Sequence, residues 1–109
     1  MKLTFDPEAL VEMREAAAFY EDCQRGLGRS FLDAVEVALA EIGKHPLMWR
    51  KVKGRFRRYL VQRFPYGLIY AVQGDVIYVA AVMHLRRKPD YWYGRKMTPR
   101  KRGDPRNRF

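Results

Sequence analysis

The sequence is poor in the residues that build metal and redox sites. Its 109 residues include one cysteine, Cys23, and two histidines, His45 and His84. A single cysteine cannot form an internal disulfide, and these three side chains lack the paired spacing of a zinc site. Neither a Walker loop nor a GxGxxG loop is present. We therefore expect no metal and no nucleotide cofactor.

Long apolar runs are also missing. No run approaches the roughly 20 residues that a membrane-spanning helix needs, and the start M-K-L-T-F-D-P lacks the apolar core of a secretion signal. Hydrophobic residues nevertheless make up 48% of the chain, which is too many for a disordered tract. These features predict one globular domain in the cytoplasm, with no membrane partner.

Acidic residues are scarce in the second half of the chain. Residues 1–49 hold five basic and nine acidic residues, a net charge of −4, whereas residues 50–109 hold 17 basic and three acidic residues, a net charge of +14. The sum is the overall charge of +10. Such asymmetry is typical of a surface that binds nucleic acid, the ribosome, an anionic membrane or an acidic protein.

The first half of the chain has the patterns of a strand and two helices. Residues 2–5 alternate as a short strand does, and Asp6-Pro7 is a typical helix start, with a capping carboxylate and proline at the first helical position. We expect this helix to reach about Arg25, with Cys23 on its buried stripe. A second amphipathic pattern begins near Gly28 or Ser30 and ends at His45-Pro46. The short connection predicts a helical hairpin.

The second half of the chain changes to the two-residue period of β-strands. We expect strands over 56–64, 67–72 and 76–83, the last two joined by a tight turn at Gln73-Gly74-Asp75. The last strand is apolar on both faces, which places it inside the sheet. The predicted fold is α+β, with the order βααβββ: an antiparallel sheet meander with a helical hairpin packed on one face. The partner of the first strand stays open.

The C-terminal residues differ in composition from the rest. Residues 95–109 hold seven basic residues, two prolines and little apolar material. We therefore expect a domain over 1–93 and a basic C-terminal tail over 94–109.

Three groups of motifs resemble toxins of the RelE/ParE superfamily. They are R-F-P-Y-G-L-I-Y at 63–70, A-V-M-H-L-R-R-K-P at 81–89 followed by Trp92, and, in the helices, A-A-A-F-Y, G-L-G-x-x-F and H-P. The resemblance covers roughly residues 3–93. It implies the βααβββ fold, a bacterial type II toxin-antitoxin module and a cognate antitoxin, which the basic charge predicts to be acidic.

The resemblance implies one of two activities. RelE-like members are ribosome-dependent mRNA endonucleases, and ParE-like members poison DNA gyrase. The ending H-x-R-R-x-P-x-x-W is closer to the ParE side, and the predicted site strands supply no carboxylate base, because no acidic residue lies between Glu41 and Asp75. The sequence thus slightly favours a gyrase poison. A nuclease, or a non-toxic nucleic-acid-binding module, remains an alternative.

If the protein is a ribonuclease, it is metal-independent and catalyses attack of a ribose 2′-OH on the adjacent phosphate. His84 would then move protons and Arg63 and Arg86, with Arg58, would hold the phosphate. We expect Arg63 and His84 to meet at one face of the sheet. The alternative for His84 is a structural histidine at a strand end.

A second set of residues is expected to bind the target or a nucleic acid. The set consists of Arg57, Arg58, Arg87, Lys88 and Tyr91. The alternative for the strand arginines is a solvated face. For the consecutive aromatics at 91–93, packing of the C-terminal segment against the sheet, or antitoxin docking, competes with base stacking.

Overall fold

A computed structural model describes residues 1–95 of the chain, and the expected tail lies outside the described residues except for Gly94 and Arg95. The described part confirms the α+β fold, with a five-stranded sheet in the order β1-β5-β4-β3-β2. None of its helices is long and apolar enough to cross a bilayer. The elements are β1 (Lys2–Phe5), α1 (Pro7–Cys23), α2 (Leu27–Lys44), β2 (Lys51–Lys53), β3 (Phe56–Leu60), β4 (Tyr66–Gln73) and β5 (Val76–His84).

The sheet is mixed, since β1 pairs with β5 in parallel and the other strand pairs are antiparallel. The parallel pair supplies the partner of β1 that the sequence left open. Helices α1 and α2 form the connection that carries the chain from β1 to the rest of the sheet. A short strand, β2, precedes the three expected C-terminal strands and pairs with the start of β3.

Asp6 joins β1 to α1, as its position before Pro7 predicts. Its Oδ1 accepts the Glu8 backbone N–H at 2.9 Å and caps the helix. Its Oδ2 accepts the Tyr78 hydroxyl at 2.7 Å, and its backbone N–H donates to the Val79 carbonyl at 2.8 Å. One buried carboxylate therefore fixes where the first strand ends and the helix begins.

Apolar side chains pack on both faces of the sheet. The helices cover one face with a core that includes Phe31, Val35, Ile42, Leu68 and Tyr70. The outer face carries a second core, in which the buried Trp92 packs against Phe56 with ring centroids 5.0 Å apart. The segment after β5 is thus held against the sheet by its aromatic residues, which is one of the three roles that the sequence left open for them.

Three details of the expected elements are wrong. Strand β3 ends at Leu60, because the chain turns through Arg63, whose φ of 73° is left-handed and outside any strand. Helix α2 begins at Leu27, directly after Gly26, whose φ is 88°. Helix α1 ends at Cys23, so this thiol lies at the exposed helix terminus and not in the core.

The helical hairpin depends on close contact at Gly28. The Glu21 carboxylate accepts the backbone N–H groups of Gly26 and Gly28 at 3.0–3.1 Å, which satisfies free donors at the start of α2. A Cβ at Gly28 would lie 2.6 Å from the Ala17 carbonyl oxygen of α1. The helices therefore cross where only glycine fits.

Alanine at the two helical glycines of α2 is expected to have opposite effects. Gly28→Ala should destabilise the fold by about 1–3 kcal/mol through overpacking against Ala17. Gly43→Ala should stabilise it by about 0.5–1 kcal/mol, because a Cβ there meets nothing and alanine is the better helix former. Urea unfolding of both variants measures the difference, and a stabilised Gly28→Ala protein would contradict the close contact.

Candidate target-binding surface

His84 ends β5 in a position that restricts its chemistry. Its ring lies edge-on to Tyr66, with centroids 5.0 Å apart, and its Nδ1 accepts the Arg86 backbone N–H at 3.0 Å. One ring nitrogen of His84 is therefore engaged with the backbone of the following loop, which leaves Nε2 as the nitrogen available to a partner.

The segment after β5, which we call the β5 loop (residues 85–90), is basic and exposed. Arg86, Arg87 and Lys88 are all exposed. The Arg87 guanidinium lies 3.7 Å from the centroid of the Tyr91 ring and 3.4 Å from the Glu12 carboxylate. The structure therefore anchors Arg87, while Arg86 and Lys88 have no salt bridge within the described chain.

Glu12, Tyr91 and Arg95 form a cluster beside the β5 loop that we call the edge clasp. Strand β5 is nine residues long and β1 only four, so their pairing ends at Phe5 with Val79. Beyond that point Glu12 accepts the Val82 backbone N–H at 3.0 Å, and Arg95 donates to the Ala80 carbonyl at 2.9 Å. Two side chains thus replace the missing continuation of β1.

The edge clasp is closed by further hydrogen bonds among its members. Arg95 donates to both carboxylate oxygens of Glu12, at 3.0 and 3.1 Å, and the Tyr91 hydroxyl donates to Glu12 at 2.7 Å. The side chains of Glu12 and Arg95 are only 12% and 11% exposed. Burial, and then the hydrogen bond to Glu12, raises the pKa of Tyr91 above the ordinary value for tyrosine. The Glu12 carboxylate is accordingly saturated with donors.

The three arginines expected on one strand, 56–64, have separate positions. Arg57 is on the helix side, where it donates to the Trp49 carbonyl at 2.8 Å. Arg58 is on the outer face, where its methylenes cover Gly67. Arg63 is in the β3–β4 turn, with its guanidinium 5.7 Å from the Phe64 ring centroid, and it lines a groove beside α2. His84 packs against Tyr66 instead, and no hydrogen bond joins it to Arg63.

A second groove lies on the outer face, between β3 and the segment after β5. Arg50, Lys51 and Arg58 line one side, and Pro89, Asp90 and Trp92 line the other. The groove is open and carries more cationic than anionic side chains, which suits an anionic group of a partner. Among residues 1–95 there is no cluster of His, Cys, Asp or Glu that could hold a metal ion.

Sequence reasoning missed Glu12 and Arg95, the two charged residues of the edge clasp. Glu12 lies on the charged side of an amphipathic helix and Arg95 begins the basic C-terminal run, so each has the pattern of a solvated residue. The length difference between β5 and β1 becomes a signal only once their pairing is known, because part of the β5 edge then needs partners from elsewhere. The predicted site strands supply no carboxylate, and the one that lies beside them, Glu12, comes from α1.

Loss of the Glu12 carboxylate is expected to destabilise the fold strongly. Glu12→Gln should cost about 3–5 kcal/mol, because it leaves the buried Arg95 with only the exposed Glu8, at 3.4 Å, as a counter-charge. Glu15→Gln is the matched control, since Glu15 is exposed on the same helix, and should change stability by less than about 0.5 kcal/mol. Urea unfolding at neutral pH compares the two, and equal stability would contradict the clasp.

The raised pKa of Tyr91 predicts a loss of stability in alkali. Above pH 10 the unfolded chain releases the Tyr91 proton while the folded chain retains it, so this contribution is complete below pH 10 and falls as pH rises further. Tyr91→Phe should be less stable at pH 8, and its deficit should shrink by about 1.4 kcal/mol per pH unit above 10. Unfolding at pH 8 and pH 11 tests this, with the exposed Tyr93→Phe as control.

Comparisons with known proteins agree with this architecture. A family model described as ParE toxin of type II toxin-antitoxin system, parDE, matches residues 3–89. No curated protein matches the sequence. A solved structure of the chromosomal ParDE toxin-antitoxin system from P. aeruginosa has the same fold, with a TM-score of 0.61 and 15% identity over 79% of this chain and 97% of that chain. The family match spans most of the sequence, so the chain belongs to the ParE toxin family of type II toxin-antitoxin systems.

Proposed function

We propose that this protein is a ParE-like toxin that arrests growth by inhibiting DNA gyrase and is neutralised by an acidic cognate antitoxin. The β5 loop is the proposed contact with the target. Arg86 and Lys88 of this loop have no salt bridge among residues 1–95, and their charge suits a gyrase–DNA assembly, which is anionic. The Arg87 guanidinium lies over the Tyr91 ring, and the Tyr91 hydroxyl donates to Glu12, so these contacts hold the loop in place.

One observation carries the preference for gyrase over mRNA cleavage: the acid–base groups near the β5 loop are already engaged. Glu12 accepts donors from Val82, Tyr91 and Arg95, and the Nδ1 of His84 accepts the Arg86 N–H. In-line cleavage of RNA needs a base to take the 2′-OH proton and an acid for the leaving oxygen. Both carboxylate oxygens of Glu12 already accept these donors, two of them from the Arg95 guanidinium, so neither oxygen is free to take that proton.

A specific observation supports the nuclease alternative as well. The groove on the outer face brings Arg50, Lys51 and Arg58 together, and such a set of cations can bind a phosphate. Its remaining polar lining residue is Asp90, whose side chain pairs with Lys53 at 3.3 Å. The groove thus supplies binding groups with no free base beside them, which favours a contact role for these cations.

The acidic character that we propose for the antitoxin follows from the positive charge of this chain. Residues 50–63 hold seven basic and no acidic residues, and an acidic chain is attracted to such a surface and relieves its self-repulsion. A non-toxic nucleic-acid-binding module would share this charge. Expression in cells separates the two, because only a toxin arrests growth and only a toxin is rescued by its antitoxin.

The target is tested with purified proteins. We expect the chain to inhibit supercoiling by gyrase and to leave mRNA intact on translating ribosomes. Arg86→Ala with Lys88→Ala should weaken gyrase inhibition by about tenfold or more, since both cations of the contact are removed. Arg14→Ala with Arg25→Ala is the matched control, because it removes two exposed arginines outside the β5 loop.

Two further variants separate the activities. His84→Ala should leave growth arrest intact, and Arg63→Gly, which suits the left-handed backbone at that turn, should do the same. If the unaltered chain cleaves mRNA on ribosomes and either variant abolishes that cleavage, the gyrase proposal is overturned in favour of the nuclease. Unimpaired growth with the antitoxin absent would overturn both.

A further inference from the structure

The groove on the outer face of the sheet combines a basic wall with an apolar floor. The wall has three basic residues, Arg50, Lys51 and Arg58. The floor consists of the buried side chains of Ile69 and Met83. None of the three basic residues makes a salt bridge among residues 1–95. Their positive charges are therefore available to a ligand of the groove.

Glycine at position 67 sets the position of Arg58. A Cβ at Gly67 would lie 3.1 Å from both Cγ and Cδ of Arg58, and 3.6 Å from Cδ2 of Leu85, the first residue of the β5 loop. The methylenes of Arg58 therefore lie across β4 in the space that the glycine leaves. Packing of this stem against the sheet limits the rotamers of Arg58, so less conformational entropy is lost when its guanidinium binds a ligand.

The groove adjoins the surface that we propose for contact with the target. Pro89 and Asp90 line the groove and belong to the β5 loop. Arg86 and Lys88 are exposed on the same loop. The carboxylate of Asp90 pairs with Lys53 at 3.3 Å, so the acidic residue of the groove is already neutralised. The groove therefore borders the β5 loop directly, and both carry an excess of positive charge.

The hydrogen-bonding groups of the groove indicate the class of its ligand. Strands β3, β4 and β5 pair with one another beneath it, so their paired backbone groups are not offered to a ligand. Arginine and lysine side chains donate hydrogen bonds and accept none. A phosphodiester fits such a site, because its oxygens only accept. An extended peptide would also bring backbone N–H groups, which these basic side chains cannot accept.

We propose that the outer-face groove binds backbone phosphates of the DNA that gyrase holds, through Arg50, Lys51 and Arg58. This inference rests on the proposed function, in which gyrase is the target. It goes further by assigning a second contact surface beside the β5 loop and by naming nucleic acid, not gyrase polypeptide, as its ligand. DNA should accordingly strengthen the binding of this chain to gyrase.

Direct binding to a labelled DNA duplex tests the groove, with the full chain in every measurement. Arg50→Ala with Lys51→Ala should weaken binding about tenfold at low salt. It should also reduce the slope of log K against log salt concentration by about two, because each lost phosphate contact removes about one released counterion. Arg14→Ala with Arg25→Ala is the matched control, since it removes the same charge from exposed residues outside the groove. An equal loss in both pairs would overturn the groove as the site.

Variants of Arg58 separate its charge from its packing. Arg58→Met keeps the methylenes over Gly67 and removes the charge, so it should weaken binding to DNA about fivefold. Arg58→Lys keeps a charge and should weaken binding less. Urea unfolding checks that both variants are folded. Unchanged DNA binding by a folded Arg58→Met protein would overturn the role of Arg58, and the Arg50–Lys51 pair decides on the groove if this variant does not fold.

Purified gyrase distinguishes DNA from polypeptide as the ligand. Arg50→Ala with Lys51→Ala should weaken binding to gyrase that holds DNA about tenfold and leave binding to DNA-free gyrase unchanged. An equal loss with DNA-free gyrase would assign the groove to gyrase polypeptide and overturn the proposal. Competition by polyglutamate as strong as that by DNA of equal charge would assign it to an acidic peptide and overturn it too.

Failure of the proposed function has a different signature. If the unaltered chain does not inhibit gyrase but still binds DNA through the groove, the proposed function falls and the groove remains a DNA site. If gyrase is inhibited and the groove variants bind DNA and the gyrase–DNA assembly as the unaltered chain does, the proposed function stands and this inference falls.

Discussion

The hydrogen bonds of Glu12 and Arg95 to the backbone of β5 are the interaction on which the rest of the structure depends. Asp6 ends β1 after four residues, where α1 starts, and this leaves the longer β5 without a strand on its β1 side beyond Val79. An uncovered backbone in that position would be costly or would attract another chain. One helix and the segment after β5 close the edge together, and this closure places the β5 loop where it is.

The same closure limits the chemistry of the basic end of the sheet. A carboxylate and a phenol near two arginines resemble the parts of an acid–base site, yet here each polar atom of Glu12 holds the fold together. A group that makes buried hydrogen bonds loses them when it moves or changes its ionisation state, and that loss costs free energy. The arrangement thus converts what could be catalytic groups into a rigid support for the exposed cations of the loop.

Sequence patterns predicted the elements well and the site less well, for a physical reason. Periodicity reports which face of an element is apolar, so α1, α2 and the inner strand β5 were evident, and Asp6-Pro7 marked the helix start. Periodicity does not report where a strand stops when charged residues continue its pattern, as Arg63 does after β3. Charged residues that pair across the fold, such as Glu12 with Arg95, look like solvated ones in sequence.

The two sides of the sheet show how one fold separates stability from recognition. Where β5 outruns β1, Glu12 and Arg95 satisfy the backbone of β5 at the cost of their own desolvation. Where β3 outruns β2, residues 1–95 supply no strand beside the end of β3, and Arg58 and Arg63 lie near that end. The N-terminal half supplies the carboxylates that close the first edge, and the shortage of carboxylates in the C-terminal half leaves the second cationic. The uneven charge of the chain therefore provides a buried counter-charge at one edge and a cationic surface at the other.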